Sequence, residues 1–481
     1  MKFYGREEQR KLLHKLLAKD DLQTALIYGR RRVGKSELIK QVLRESEQRS
    51  IYYECKQTTE ENNTDSLAEI IADSFHYPKP AFDGIEKLLE FLFEESKQEP
   101  FVLVLDEYPY LRHSLPGIDS ILQSLIDKYR DVSHLKFILC GSYVDVMKSL
   151  LESENPLYGR IDRVIELKPM DYYESSFFYD TFSNEDKVRL YSVFGGIPYY
   201  NRLIHADLTV KENIIELIAS PGARLENEVS MYLKSEISRI TNANEVIEAL
   251  AKGFSRYSDI LSQSHVSSGP TLIDVLDKLI RMDIVRKEAP INDENNRRKV
   301  GYYISDPLSL FYYRYVFRYA SQMSVMEPEV FFERYIREDY DNWYVPHAFE
   351  ELCKQYLIRK NRVGKMEEPF FKIGRYWYDD PKNKTNGEFD LVTQDANGYI
   401  FYEAKFRSEP LGHSMVEKEI QQVRQTGMNC YRYGFLSRSG FSIAPRKDLI
   451  LIGLEEIYDD FAVEGIHKCD TASSSSTVSI S

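Results

Sequence analysis

Leucines at positions 12, 13, 16 and 17 recur at helical spacing and predict a first amphipathic helix over residues 5–18. A short apolar run, TALIYG, ends in glycine and reads as a buried strand. SELIKQVLRES then returns to helical spacing. The alternation continues with the strand SIYYEC, helices over 64–75 and 84–96, and the uninterrupted apolar run PFVLVLDEY. A helix over 118–130 and the strand LKFILCGS follow. A continuous apolar run suits a strand buried on both faces. Strands separated by crossover helices predict an α/β fold around a parallel sheet.

After GRIDRVIELKP the pattern turns helical. Ser183 with Asp186 marks a helix start, and Gly195-Gly196 its end. Three short helices near 243–252, 256–263 and 270–282 precede two short strands, DIVRKE and VGYYIS, around a polar loop. Three helices with a two-stranded ribbon predict a winged helix. FYYRYVFRY opens a connecting helix, and from about residue 345 the order is helix, strands, helix, strand. The predicted divisions are a strand–helix core over 1–182, a helical lid over 183–240 and the winged helix over 241–310. Connecting helices over 311–344, a second α/β domain over 345–468 and a polar, disordered tail over 469–481 complete the chain.

Composition narrows the classes. The 481 residues exceed what one hydrophobic core holds. A net charge of −13 excludes a protein basic all over, so any nucleic-acid contact must come from a local patch. No apolar stretch is long enough to span a membrane, and MKFYGREEQRKLL has no secretory apolar core; a cytoplasmic protein is expected. Cys55, Cys140, Cys353, Cys430 and Cys469 are scattered without a CxxC pair, which predicts free thiols and no zinc site.

Gly29 to Ser36, GRRRVGKS, fits GxxxxGK[ST] between a predicted strand and a predicted helix, the placement a phosphate-binding loop needs. Gly29 and Gly34 let backbone N–H groups approach phosphate oxygens, and the helix N-terminus favours the anion. Lys35 can reach the β- and γ-phosphates, and Ser36 can ligate Mg2+. Val33 and Glu37 complete the cradle. Arg30, Arg31 and Arg32, inside the motif, are candidate nucleotide-binding residues that could face a phosphate, a partner or only solvent, with solvent the default. FVLVLDEY carries Asp106 and Glu107 to the C-terminal edge of the sheet, where Asp106 would hold Mg2+ and Glu107 would deprotonate the attacking water. Ser142, after LKFILCG, is a candidate to sense the γ-phosphate or to orient the attacking water. Arg160, in LYGRIDR, is a candidate arginine finger. ATP and Mg2+ are the expected cofactors.

FYGREEQRKLL, GRRRVGKSEL, VLVLDEYPYL, FILCGSYVDVM, PLYGR and GGIPYY occur in this order and resemble the archaeal-type ATPases of the AAA+/STAND superfamily. The resemblance covers residues 1 to about 320 and extends onward through the C-terminal domain of unknown function that accompanies them. It implies that the third strand lies beside the phosphate-loop strand. It implies that Phe3, Tyr4, Gly5 and Arg6 line an adenine pocket and that Pro198 sits near the nucleotide. It leaves open whether Arg160 acts in its own subunit or a neighbour's. Related ATPases often form rings, so a homo-oligomer is an open expectation. In the winged helix, TLIDVLDKLIRMD sets Asp274 and Asp277 against Lys278 and Arg281, a poor surface for DNA. The ribbon is more basic, with Arg297, Arg298 and Lys299.

GEFDLVTQDANGYIFYEAKF reads as a hairpin. A two-residue turn at Asn397-Gly398 pairs Asp390 with Lys405; a four-residue turn pairs Asp390 directly with Glu403. Either register leaves Glu388, Asp390, Glu403 and Lys405 on one face and the apolar residues on the other. Carboxylates beside a lysine are what metal-dependent phosphodiester cleavage needs, with Asp390 and Glu403 as metal ligands and Lys405 orienting the water. The spacing Asp-x(12)-Glu-x-Lys resembles the PD-(D/E)XK nuclease fold, although Phe389 stands where the leading PD motif would end. Glu350 matches the helical acid of that fold, and Gln421 or Gln425 would complete it. Two functions follow as expectations. In one, ATP hydrolysis gates a nuclease that acts on DNA through the winged helix or the last domain. In the other, an ATP-driven switch carries a binding-only C-terminal domain.

Overall fold

The computed structural model describes residues 2–237, 240–380 and 385–461. The expected polar tail, with Cys469, lies outside the described residues. The chain divides into two compact units, residues 1–345 and 346–481.

The first unit is built on five parallel strands: β1 (Gln23–Tyr28), β2 (Ser50–Glu54), β3 (Val102–Asp106), β4 (Lys136–Gly141) and β5 (Arg163–Glu166). All positions of β1, β3 and β4 are buried, because helices cover both faces of these continuous apolar runs. The order is β2-β3-β4-β1-β5. The third strand is therefore not the neighbour of the phosphate-loop strand, as the resemblance implied. β4 lies between them, and β3 pairs with β4. Its run KFILCG is apolar enough for the centre of the sheet. The insertion brings Ser142 out directly beside the loop that follows β1.

Two short helices, Tyr108–Ser114 and Val144–Ser149, follow β3 and β4. Each is too short to establish a hydrophobic period in the sequence. Beyond β5, the Ser183 side chain accepts a hydrogen bond from the Asp186 N–H and starts the helix Asn184–Phe194, which ends at Gly195. Helices Ile240–Ala251, Tyr257–Gln263 and Gly269–Arg281 precede an antiparallel pair, β6 (Val285–Glu288) and β7 (Gly301–Ile304). Helix Gly269–Arg281 buries Leu272, Val275, Leu276 and Leu279 and leaves Asp274 and Asp277 in solvent. The expected connecting helix is π-helical over Tyr312–Phe317, and a second π segment runs over Tyr340–Tyr344. There the Arg314 guanidinium pairs with Asp339 and stacks on Trp343 at 3.6 Å. Among the described residues, no helix is long and apolar enough to cross a membrane.

The second unit holds a mixed sheet of β8 (Lys372–Asp380), β9 (Thr385–Asp395), β10 (Gly398–Lys405), β11 (Cys430–Ser437) and β12 (Leu449–Gly453), ordered β12-β11-β10-β9-β8. β10, β11 and β12 run parallel, whereas β8 and β9 are antiparallel neighbours. The turn of the β9–β10 hairpin is Ala396-Asn397, one residue earlier than Asn397-Gly398. The Asp395 carboxylate accepts the Asn397 N–H at 2.8 Å and fixes the turn there, a side-chain-made turn that a dipeptide rule does not anticipate. The ladder pairs Leu391 with Tyr402, so Asp390 and Glu403 face each other at its next step. Cys55, Cys140, Cys353 and Cys430 are free thiols.

Candidate functional site

The loop between β1 and helix Lys35–Ser46 turns through left-handed backbone at Gly34, with φ of 94°. At Gly29 a Cβ would lie 2.3 Å from the Leu167 carbonyl oxygen, so no larger residue fits this path. Val33 is wholly buried, and Glu37 lies in the first helical turn. Lys35 is buried, and its ammonium donates to Gly29 O at 3.0 Å, Arg30 O at 3.2 Å and Ser142 Oγ at 2.8 Å. Burial lowers its pKa, opposed by the charges of Cys140, Glu107 and Asp106.

The two acids after β3 have different tasks. Burial tends to raise the Asp106 pKa. Hydrogen bonds from Cys140, Ser36, Tyr52 and the Glu107 N–H outweigh that and hold the carboxylate below its ordinary range. The Ser36 hydroxyl donates to Asp106 Oδ2 at 2.6 Å, and the Tyr52 phenol bonds the same oxygen. Glu107 has left-handed backbone, with φ of 50°, and its carboxylate accepts Ser142 Oγ at 2.5 Å and Ser142 N at 3.1 Å. Lys35, Ser142 and Glu107 thus form one chain of hydrogen bonds along the sheet edge. Tyr52 carried no motif; only its place on the adjacent β2 reveals it.

Arg30, Arg31 and Arg32 are not free in solvent. Arg30 is buried, paired with Asp306 at 2.7 Å, bonded to Tyr200 and stacked on Tyr232. Burial opposes its charge, but Asp306, Tyr200 and Tyr232 win and raise its pKa. Arg31 donates to the Tyr143 phenol at 2.8 Å, and Arg32 pairs with Glu228 while covering the Tyr199 ring. Basic residues in a loop default to solvent in a sequence reading, because partners 112 to 276 residues away are invisible to it.

Tyr4 packs against Phe178, with ring centroids 4.8 Å apart. Gly5 and Arg6 both have left-handed backbone. Arg6 is buried, its N–H donates to Glu174 Oε1, and its guanidinium reaches the Val33 carbonyl at 3.1 Å. Pro198 opens a short helix, and its Cγ lies 3.7 Å from where a Gly34 Cβ would stand. Arg160 lies elsewhere. Its carbonyl accepts the hydroxyl of Thr24, near the start of β1, and its guanidinium pairs with Asp127 at 2.7 Å. It therefore occupies the N-terminal edge of the sheet, a strand's length from the phosphate loop, and cannot act as an arginine finger in its own subunit.

In the second unit the hairpin acids are engaged by cations. Lys405 bonds Glu403, and Arg375 reaches Glu388 at 2.8 Å and Asp390 at 3.4 Å. Arg375 enters through a register shift in the β8–β9 ladder, a feature no sequence period predicts. Burial pushes the Asp390 carboxyl up, partly countered by Arg375 and reinforced by Glu350 and Glu388. Burial pushes Glu403 up to about 7, countered by Lys405 and reinforced by Glu419 and Glu350. Glu350 itself has His347 at 3.3 Å. Gln421 and Gln425 are exposed; Glu419 on the same helix is the residue whose charge reaches Glu403 and Lys405. Among the described residues no group of three or more His, Cys, Asp or Glu side chains could hold a metal ion. Of the expected ligand set, Glu403 is bonded by Lys405 and Asp390 has Arg375 at 3.4 Å, while the charge of Glu350 reaches both acids.

Glu403 gives a signed pH expectation. A carboxyl raised above its ordinary 4.5 contributes stability that is complete below that value and lost as pH rises through about 7. Unfolding curves of the wild type should show this loss across that window, and Glu403→Gln should flatten it. An unchanged pH profile in the variant would exclude Glu403 as its source.

A parallel sheet, a glycine-flanked phosphate loop entering a helix, and two acids at the end of a nearby strand define the P-loop NTPase fold. Residues 3–203 match the family described as an ATPase domain predominantly from Archaea, and residues 312–423 match one described as archaeal and bacterial proteins of unknown function. The chain carries an archaeal-type, ATP-binding P-loop ATPase domain followed by that second family's domain. An uncharacterized protein of Methanocaldococcus jannaschii is 29% identical over 412 residues, covering 84% of this chain and 88% of that protein. The Walker-type ATPase paby2304 of Pyrococcus abyssi is similar over 65% of this chain and 96% of its own, with 22% identity and a TM-score of 0.49. The ORC2 protein of Aeropyrum pernix, solved with ADPNP and ADP, is similar over 64% of this chain and 93% of its own, with 14% identity and a TM-score of 0.44.

Proposed function

We propose that the chain is a Mg2+-dependent ATP hydrolase whose nucleotide state controls its C-terminal domain. The observation that carries this reading is the continuous Lys35–Ser142–Glu107 network beside the Ser36–Asp106 pair. The loop amides and Lys35 bind the β- and γ-phosphates. The Ser36 hydroxyl and the ionised Asp106 carboxylate are hard oxygen donors 2.6 Å apart, a set that fits Mg2+. When bound, Mg2+ neutralises charge developing on the phosphates. Ser142 orients the attacking water and Glu107 takes its proton as the oxygen bonds to the γ-phosphorus. The bond between the γ-phosphorus and the β–γ bridging oxygen breaks, and ADP and phosphate leave. Glu107→Gln keeps the shape and removes the base. It is expected to lower turnover about 100-fold or more while ATP affinity stays within a fewfold. A variant hydrolysing at the wild-type rate would remove Glu107 from this role.

The lid, winged-helix and connecting-helix assignments made from the sequence are kept as part of this reading. DNA contact through the winged helix falls to the basic β6–β7 loop, because helix Gly269–Arg281 exposes Asp274 and Asp277. Arg160 would serve a neighbouring copy in a homo-oligomer. Its half-exposed pair with Asp127 is readily exchanged.

For the C-terminal domain we favour a binding role in a nucleotide-driven switch over cleavage, because Asp390 and Glu403, the strand carboxylates that would hold a metal, are paired with Arg375 and Lys405. Incubation of the purified protein with Mg2+ or Mn2+ and supercoiled DNA decides between them. Nicking that Glu403→Gln abolishes would establish the nuclease and reject the binding-only role.

A further inference from the structure

The hydrolytic scheme leaves Tyr52 unused. On β2 its neighbours Ile51 and Tyr53 are buried in the hydrophobic core, so Tyr52 is turned to the other face of the sheet. In the parallel β2–β3 ladder Tyr52 stands beside Val104, and Glu54 beside Asp106. Side chains alternate along each strand, so Tyr52, Glu54 and Asp106 share one face. Glu54 is directly opposite Asp106, but it is an exposed acid that accepts rather than donates. The longer phenol, two residues back, spans the step and bonds Asp106 Oδ2. Burial and the Asp106 charge push the phenol's pKa up, so Tyr52 is the donor in this bond.

A carboxylate at a strand end can turn about its last bond unless both oxygens are held. Here both are. Asp106 Oδ1 accepts the Glu107 N–H at 2.9 Å. Oδ2 accepts the Ser36 hydroxyl at 2.6 Å together with the Tyr52 phenol. These donors differ in origin. The Glu107 N–H belongs to the next residue of the chain. The Ser36 hydroxyl belongs to the phosphate-loop helix and is itself assigned to Mg2+. Tyr52 comes from a strand outside the loop, so its hold does not depend on how the loop is filled. The ring is anchored in turn, because the Lys40 ammonium lies over it, 4.8 Å from the centroid. Lys40 sits one turn beyond Ser36 on the same helix face, so the stack ties that helix to β2.

We propose that Tyr52 is a positioning residue for the divalent cation, whose phenol holds Asp106 in the orientation that receives Mg2+ beside Ser36. This rests on the phosphate-loop reading above. Partners that orient a ligating carboxylate change metal affinity about 10- to 100-fold. Neither Tyr52 nor Asp106 is assigned a phosphate, so the effect falls on the metal and not on the nucleotide. A tyrosine that only satisfies its own hydroxyl is the competing role. Its bond to the oxygen that also takes Ser36 favours positioning.

The test is calorimetric titration of the full-length protein with a non-hydrolysable ATP analogue, in EDTA and at a series of Mg2+ concentrations. Tyr52→Phe keeps the ring and removes the hydroxyl. It is expected to bind the analogue in EDTA within about threefold of wild type and to lose about tenfold or more in Mg2+ affinity. In steady-state turnover the Mg2+ requirement should rise by the same factor, with kcat at saturating Mg2+ nearly kept. An unchanged Mg2+ affinity would overturn the proposal and leave Tyr52 a packing residue. A tighter metal would overturn it too, since the phenol would then compete with the ion for Oδ2. If Tyr52→Phe does not fold, Lys40→Met loosens the ring and keeps the hydroxyl. A metal loss of about threefold there supports the hold, and none overturns it. A wild type whose affinity for the analogue ignores Mg2+ would instead reject the Ser36–Asp106 metal site, and Tyr52 with it.

Discussion

Lys35→Ala is expected to reduce ATP turnover by at least about two orders of magnitude, the usual cost of removing one preorganised electrostatic donor. The Lys35 ammonium is buried and supplies the charge at the heart of the loop, bonded to Gly29 O, Arg30 O and Ser142 Oγ. A bound triphosphate needs a cation at that position, and the residues around it cannot replace one. Arg30 is committed to Asp306, Arg31 to Tyr143 and Arg32 to Glu228. The variant should fold, because the loop carbonyls and Ser142 can be reached by water once the amine is gone. Steady-state phosphate release together with a thermal melt checks both points. Wild-type turnover in a folded Lys35→Ala protein would remove the site from the loop altogether.

Asp306→Ala is expected to destabilise the first unit by about 3–5 kcal/mol, the usual cost of leaving one member of a buried ion pair alone. The Arg30 and Asp306 side chains are only 2% and 5% exposed, so solvent cannot take over from a missing partner. Asp306 also caps the helix Pro307–Phe311 by accepting the Ser309 N–H at 2.9 Å. Asp306→Asn keeps the cap and the shape but not the charge, so it should be the milder change. The double variant Arg30→Met with Asp306→Leu, which removes both charges, should recover much of the loss. Urea unfolding of the four proteins measures this. A single variant as stable as wild type would mean that the pair contributes nothing. A double variant no better than Asp306→Ala would mean that packing, not charge, sets the cost.

The ion pair also marks the limit of sequence reading. Strands β1 to β5 and their crossover helices follow from apolar runs and helical periods, since each run must find cover on both faces. Gly29, Gly34, Lys35, Ser36, Asp106 and Glu107 are readable because strand ends and contiguous spacing carry their chemistry. The capped helix Asn184–Phe194 is readable because Ser183, Asp186 and Gly195 satisfy its ends locally. The alternation of β9 and β10 likewise assigns Glu388, Asp390, Glu403 and Lys405 to one face without any fold.

Whatever depends on partners far along the chain was decided by the tertiary structure. Strand order is one case: β4 enters between β1 and β3 and delivers Ser142 to Lys35, although 107 positions separate them. The three loop arginines became fasteners for helices rather than solvated charges. Tyr52 reached Asp106 from the neighbouring strand. Arg160 was carried to the opposite sheet edge because its strand starts there. In the second unit a ladder irregularity swung Arg375 onto the acids, and the packed helix offered Glu419 rather than the glutamines. Local chemistry is written in neighbouring residues, because turns, caps and periods act within a few positions. Which charge meets which, and whether it stays ionised, depends on burial and on distances that exist only after the elements pack.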